Sequence, residues 1–79
     1  MFEFNEKEFN FVLESRNISR KELCKRIGMN YSTMYRIIYI RYGDFRLSDI
    51  NKMIKVLDMN KEEIKKVFIN GSYNTGIYI

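Results

Sequence analysis

Residues 19–38 read SRKELCKRIGMNYSTMYRII and predict two short helices joined by a tight turn. Ser19 is a favourable N-cap for the first of these helices, and Glu22 can complete a capping box three residues later. Gly28 then supplies the positive φ that a sharp helix exit needs, and Asn30 can cap the next helix. The turn is therefore short, so the two helices must cross steeply.

The second of these helices is predicted to have two distinct faces. Met34, Ile37 and Ile38 lie on one side at helical spacing and are expected to face the core. The opposite side carries a polar and aromatic stripe formed by Ser32, Tyr35, Arg36 and Tyr39. Such a stripe is usually just solvated, but residues 31–41 contain no carboxylate. That bias is typical of a surface that faces phosphate groups.

Positive charge is concentrated in one part of the chain. The 79 residues carry a formal net charge of +4. Residues 16–46 hold eight basic and two acidic residues, a net of +6, whereas the rest of the chain holds six basic and eight acidic residues, a net of −2. The predicted helix pair and the loop after it therefore have the electrostatic footprint expected for DNA binding. A basic solvated surface would show the same composition.

Residues 19–38 resemble the Cro and phage-repressor (Xre-type) helix-turn-helix family. The resemblance rests on Ser19, Glu22, Leu23, Cys24, Ile27, Gly28, Asn30, Ser32, Thr33, Met34 and Ile37. It continues through LSDINKMIKVLDMNKEEIKKVF, residues 47–68, which are similar to the fourth and fifth helices of that family. The resemblance implies an all-α, compact five-helix lambda-repressor-like domain. It also implies that residues 31–40, the recognition helix, enter the major groove of DNA.

Three further helices complete the predicted fold. Asn5 can cap a first helix that runs to about Arg16. A capping box that begins at Asn60 starts a fifth helix, which ends near Ile69. Residues 1–71 are therefore expected to form one helix-turn-helix domain. The fourth helix is expected to close the core through an apolar stripe formed by Leu47, Ile50, Ile54 and Leu57.

The C-terminal tail, residues 72–79, shows a residue pattern with a period of two, which is typical of a β-strand. Because a lone strand is not stable, it would need a partner such as the tail of a second subunit; the alternative is a frayed terminus. One recognition helix reads only about four to six base pairs, so a homodimer on an inverted-repeat operator is expected. The candidate dimer contacts are Val67, Ile69, Tyr73, Ile77 and Ile79.

Composition argues against several other function classes. The chain has no histidine and a single cysteine, so it lacks the usual zinc ligands and a histidine general base. Its four glycines are scattered rather than gathered in a phosphate-binding loop. Its apolar runs are far shorter than the roughly 20 residues that span a membrane. We therefore expect a cytoplasmic, non-enzymatic protein that needs no metal or cofactor.

Two functions fit these observations. The leading hypothesis is a repressor-like transcriptional regulator that binds double-stranded DNA in a sequence-specific way. Arg36 carries the donor fork that suits guanine O6 and N7. The base-reading candidates are Tyr31, Ser32, Tyr35 and Arg36, and the DNA-backbone candidates are Arg20, Asn30, Arg41, Tyr42 and Arg46.

The alternative hypothesis is a protein-binding module of phage or mobile-element type that inhibits a nucleic-acid enzyme. It is motivated by a group of aromatic and aliphatic residues of the kind that protein interfaces prefer. These residues are Tyr35, Ile38, Tyr39, Ile40, Tyr42 and Phe45.

Overall fold

Five α-helices are present in the computed structural model, which describes residues 4–40 and 45–68. They are α1 (Glu6–Ser15), α2 (Arg20–Ile27), α3 (Tyr31–Tyr35), α4 (Leu47–Leu57) and α5 (Lys61–Val67). A π-helical segment, Arg36–Ile40, directly continues α3. The expected all-α, five-helix fold is confirmed, while the predicted tail strand lies outside the described residues.

Local side-chain caps begin the helices where the sequence predicts them. The Asn5 and Ser19 side chains each accept a hydrogen bond, at 3.1 Å, from the backbone N–H three residues further on. Asn60 and Glu63 form a complete capping box, with distances of 2.8 and 3.0 Å. In α2 the Glu22 carboxylate instead accepts a hydrogen bond from an arginine one turn later. These caps satisfy N–H groups that a helix start otherwise leaves unpaired.

The link between α2 and α3 is the short turn that the sequence predicts. Gly28 has φ +72°, a left-handed conformation that a residue with a Cβ adopts only with strain. The Met29 N–H donates to the Cys24 carbonyl at 2.9 Å, which closes the end of α2. The Asn30 side chain accepts from the Ser32 N–H at 2.9 Å and starts α3. Three residues, 28–30, therefore connect the two helices.

The core is built from one face of each helix. Its largest fully buried side chains are Phe9, Val12, Leu23, Met34, Ile50, Met53, Leu57, Ile64, Val67 and Phe68. Cys24 and Met34 meet across α2 and α3 with their sulfur atoms 3.5 Å apart, and burial raises the pKa of the Cys24 thiol. Cys24 therefore acts as a small apolar residue, as its place in the sequence predicts.

Two apolar residues lie elsewhere than predicted. Leu47 is 40% exposed rather than part of the α4 core stripe. Phe45 fills that end of the core instead, with its ring centroid 5.4 Å from that of Phe4. Val67 is fully buried, because the N-terminal segment covers the end of α5 and the Asn5 N–H donates to the Val67 carbonyl at 2.9 Å. Val67 must therefore be removed from the predicted dimer contacts.

Candidate nucleic-acid interface

The recognition helix presents one buried and one exposed face, as its sequence predicts. Met34, Ile37 and Ile38 are buried against the core. The four base-reading candidates all lie on the exposed side of its first six residues, where the two tyrosines are each close to half exposed. These side chains are Tyr31, Ser32, Tyr35 and Arg36. The structure therefore brings them together on one accessible surface.

The start of the recognition helix fixes the direction of one hydroxyl group. The Ser32 Oγ donates to the Asn30 Oδ1 at 2.7 Å, and the same oxygen accepts the Ser32 N–H. Because its hydrogen is used in this bond, the Ser32 oxygen presents acceptor lone pairs to the outside. The Asn30 side chain, in turn, keeps its amide N–H groups as donors.

A shallow cleft of about 460 Å³ lies between the helix-turn-helix and the start of α4. Arg36 and Arg46 both line this cleft, so a predicted base reader and a predicted backbone contact lie in one concave surface. Asp49 is also part of the lining, but its carboxylate accepts the Arg46 backbone N–H at 3.3 Å. The lining therefore carries two guanidinium groups against one carboxylate, and this net positive charge favours an anionic ligand.

Arg20 lies in a different environment from the other predicted backbone contacts. Its Nη2 donates to Glu6 at 3.0 Å and to Asn10 at 2.7 Å, both on α1. Its Nη1 donates to the Tyr39 hydroxyl at 2.8 Å. Only 16% of the Arg20 side chain is exposed, and its guanidinium lies over the rings of Phe9 and Tyr39.

Tyr39 completes this polar cluster by donating a hydrogen bond to the Glu6 carboxylate. The hydrogen bonds from Tyr39 and Arg20 lower the pKa of Glu6. The same Glu6 contact raises the pKa of the Tyr39 phenol, so the acid stays charged and the tyrosine stays protonated. The sequence gives no local signal for this cluster, because Glu6 and Tyr39 are 33 positions apart.

Lys21 is a second contributor that the sequence analysis did not single out. Its ammonium lies 6.0 Å from the ring centroid of Tyr31, within the range of a cation–π contact. Lys21 therefore adds a positive charge beside the first base-reading candidate. Its place in a run of basic residues at the start of α2 is the signal that could have identified it.

Several predicted residues are not part of the exposed surface or cannot be placed. Ile38 and Phe45 are buried, so they do not belong to an exposed apolar patch. Within residues 4–40 and 45–68 that patch is reduced to Tyr35, Tyr39 and Ile40. The backbone candidates Arg41 and Tyr42 and the dimer candidates Ile69, Tyr73, Ile77 and Ile79 lie outside the described residues.

Residues 10–67 match the family of Cro/C1-type HTH DNA-binding domains. The chain belongs to this family. The matched segment includes α2, the recognition helix and α4, so it contains the exposed face and the cleft described above. The resemblance inferred from the sequence is therefore confirmed. No curated protein and no solved structure matches the chain significantly.

The described part of this HTH domain contains neither a membrane-spanning helix nor a metal-ligand cluster. Among its helices, none is both long enough and apolar enough to cross a membrane. Over the same residues, no group of three or more histidine, cysteine or acidic side chains is placed to hold a metal ion.

Proposed function

We propose that this HTH domain is a sequence-specific transcriptional regulator of the repressor type that reads the major groove of double-stranded DNA with residues 31–40. The observation that carries the proposal is the exposed face of the recognition helix, where Arg36 shares a cleft with Arg46. A helix that enters the groove places its N-terminal residues on the base edges. Flanking cations then contact the phosphates on either side.

Each base-reading candidate has a distinct chemical role in this proposal. Arg36 donates two hydrogen bonds to guanine O6 and N7. Ser32, whose hydrogen is already given to Asn30, accepts from a base amino group, either adenine N6 or cytosine N4. Tyr31 and Tyr35 supply ring surface for a thymine methyl group. The domain therefore favours a site that contains guanine next to A·T pairs.

The backbone contacts surround this reading surface. Asn30 offers its amide N–H groups at the start of the recognition helix, and Arg46 offers its guanidinium from the start of α4. Arg41 and Tyr42, which follow the recognition helix in the sequence, remain predicted DNA-backbone contacts. Such contacts fix the register on the duplex but carry no sequence information themselves.

We further propose that the regulator acts as a homodimer on an inverted repeat. Two-fold pairing places the two recognition helices about 34 Å apart, one turn of DNA. With Val67 buried, the remaining contact candidates are Ile69, Tyr73, Ile77 and Ile79. Light scattering on the full chain and on a chain without residues 72–79 tests this pairing. A dimer that becomes monomeric supports it, an unchanged dimer removes the tail from the dimer contacts, and a monomer that binds an asymmetric site at full strength contradicts the two-fold model.

The main experiment is selection of bound fragments from random double-stranded DNA. The expected result is an enriched inverted repeat whose half-site centres are about 10 base pairs apart. Affinity for the enriched duplex should fall steeply between about 50 and 200 mM salt, because phosphate contacts release counterions. Failure to enrich any sequence would contradict the proposal.

One observation favours a second function, binding to another protein. Tyr35, Tyr39 and Ile40 form an exposed aromatic and aliphatic patch at the end of the recognition helix. Aromatic contacts of this kind are weakly dependent on salt, whereas DNA binding is strongly dependent on it. If this chain inhibits an enzyme that acts on nucleic acid, it should therefore bind that enzyme with nearly equal affinity at low and moderate salt. In either role we expect the chain to work in the cytoplasm without catalytic activity of its own.

A further inference from the structure

The fold brings an acidic residue to a surface whose own sequence has none. Residues 31–41 contain no carboxylate, yet Glu6 of α1 accepts hydrogen bonds from Tyr39 and from Arg20. A carboxylate beside a DNA-binding face repels phosphate unless its charge is compensated. The Arg20 Nη2 atom lies 3.0 Å from the Glu6 carboxylate and compensates its charge. This pairing indicates that the two charged groups interact with each other rather than with DNA.

Arg20 is poorly placed to contact a DNA phosphate. Its guanidinium donates to three side chains on two elements, Glu6 and Asn10 on α1 and Tyr39 on the recognition helix. The ring centroid of Phe9 lies 5.6 Å from the Arg20 Cζ atom, and the ring centroid of Tyr39 lies 5.4 Å from the same atom. A phosphate contact would need a donor fork that faces solvent, but only 16% of the Arg20 side chain is exposed.

Tyr39 connects this cluster to the reading surface. Its ring centroid lies 4.8 Å from that of Tyr35, in a tilted arrangement that is favourable for aromatic pairs. Tyr39 belongs to the π-helical segment, a rare helical form that occurs mostly as a single turn. The side-chain cluster connects this segment to α1 and α2.

We propose that Glu6, Arg20 and Tyr39 form a positioning cluster that fixes the second half of the recognition helix and, through the Tyr39 ring, orients Tyr35 toward the base it reads. The proposal rests on the DNA-reading function given above. Tyr39 is a positioning residue in this scheme and does not itself contact a base. A side chain that is held in its bound orientation loses less conformational entropy on binding, so the cluster raises discrimination between sequences.

The first test is the variant Tyr39→Phe, which removes both hydroxyl hydrogen bonds and keeps the ring. Three duplexes serve as probes. The first is the duplex that the wild type selects, and the second differs from it at the base pair for which the variant Tyr35→Leu has lost its preference. The third is a random duplex. Discrimination at that base pair should fall roughly threefold to tenfold, the effect of one or two lost hydrogen bonds. Affinity for the random duplex should not change, and the melting temperature should fall by only a few degrees, because both lost hydrogen bonds are exposed. Full discrimination in Tyr39→Phe would overturn the proposal.

A double-mutant cycle separates positioning from direct contact. If Tyr39 acts through Tyr35, the variant Tyr39→Phe should cause no further loss of discrimination in a chain that already carries Tyr35→Leu. If the two losses simply add, Tyr39 makes its own contact with DNA and the positioning role is wrong.

The double variant Glu6→Gln/Arg20→Gln tests the cluster from its other side, because it removes both charges together and leaves no uncompensated carboxylate beside DNA. The proposal expects reduced discrimination with an unchanged dependence of affinity on salt concentration. A decrease of the salt slope by about one unit would place Arg20 on a phosphate and overturn the proposal.

Failure of the proposal can be told apart from failure of the DNA-reading function. If the wild type enriches no sequence, the function itself is wrong. If the wild type enriches a sequence and Tyr39→Phe discriminates equally well, only the cluster is wrong.

In the free protein, nuclear Overhauser contacts between the rings of Tyr35 and Tyr39 should weaken in Glu6→Gln. They should persist in Glu14→Gln, which alters an exposed acid on the same helix, and equal spectra in the two variants would overturn the cluster's ordering role.

Discussion

Arg16 and Arg20 are four residues apart in sequence, yet they connect different parts of the molecule. Arg16 lies at the end of α1 and pairs with Glu63 through two hydrogen bonds, at 2.6 and 2.7 Å. Its other partners include the backbone carbonyls of Leu57 and Asp58, at 2.8 and 3.0 Å. Arg20 instead connects α1 to the recognition helix. Arg16 connects α1, α4 and α5, which form the helical frame. Arg20 supports the exposed face of the recognition helix, which is the reading surface.

The Arg16 contacts and the cleft beside Arg36 lie at opposite ends of α4. Leu57 is the last residue of α4, whereas Arg46 directly precedes its first residue. An α-helix of 11 residues is about 16 Å long, so the Arg16 contacts lie well away from the cleft that Arg46 lines. Loss of Arg16 should therefore affect folding stability, and loss of residues at the reading surface should affect DNA discrimination.

The largest effect is expected for Arg16→Ala. Removal of this side chain leaves Glu63 and two carbonyls without their charged donor, so the free energy of unfolding should fall by about 2–3 kcal/mol. Chemical denaturation measures this loss. Arg26→Ala is the matched control, because its ion pair with Glu22 is about half exposed and should contribute less than about 0.5 kcal/mol. Equal losses in the two variants would show that the Arg16 contacts do not stabilise the frame.

The second prediction concerns the reading surface. Arg36→Ala should lower affinity for the selected duplex by roughly 1–3 kcal/mol and leave residual binding to random DNA. Because Arg36 is exposed, the melting temperature should stay close to that of the wild type. Titration of labelled duplexes measures the affinities, with Arg26→Ala again as the control. If Arg36→Ala kept its full preference between duplexes, Arg36 would not be a base reader.

The third prediction uses pH to test the frame contact. The hydrogen bonds from Arg16 lower the pKa of Glu63 below its ordinary value of 4.5. A carboxyl group with a lowered pKa in the folded state stabilises the protein above that ordinary value, and this stabilisation is lost as the pH falls through the folded pKa. Glu63→Gln should therefore cost about 1–2 kcal/mol at pH 7 and much less at pH 3. Denaturation at both pH values checks this, and a cost that does not depend on pH would contradict it.

The sequence predicted the frame well because its signals are local. Helix starts depend on residues three positions apart, such as Asn60 and Glu63, and their capping bonds form as expected. Burial of Met34 and exposure of Tyr35 follow from helical spacing alone. Family membership rests on the same local pattern, since the tight turn at Gly28 positions the recognition helix.

The parts that could not be predicted depend on contacts between distant residues. Glu6 and Arg20 are 14 positions apart, and no periodicity links them to Tyr39. Val67 is predicted to be a dimer contact because the sequence does not reveal that the N-terminal segment covers it. The π-helical course of Arg36–Ile40 also has no composition signal, since it depends on how the segment packs.

The smallest effect is expected for Arg46→Ala, which sharpens the contrast between Arg46 and Arg20. Arg46 is exposed and lines the cleft beside Arg36, so its guanidinium can reach a phosphate. Its removal should weaken binding to all duplexes about equally, by about 0.5–1 kcal/mol at moderate salt, and lower the salt slope by about one unit. The double variant Glu6→Gln/Arg20→Gln should leave that slope unchanged, because Arg20 is committed to Glu6 and Tyr39. Affinities for the selected and the random duplex over a series of salt concentrations test both variants together. If Arg46→Ala weakened only the selected duplex, Arg46 would read a base, and if both variants lowered the slope, the two arginines would share one role at the DNA backbone.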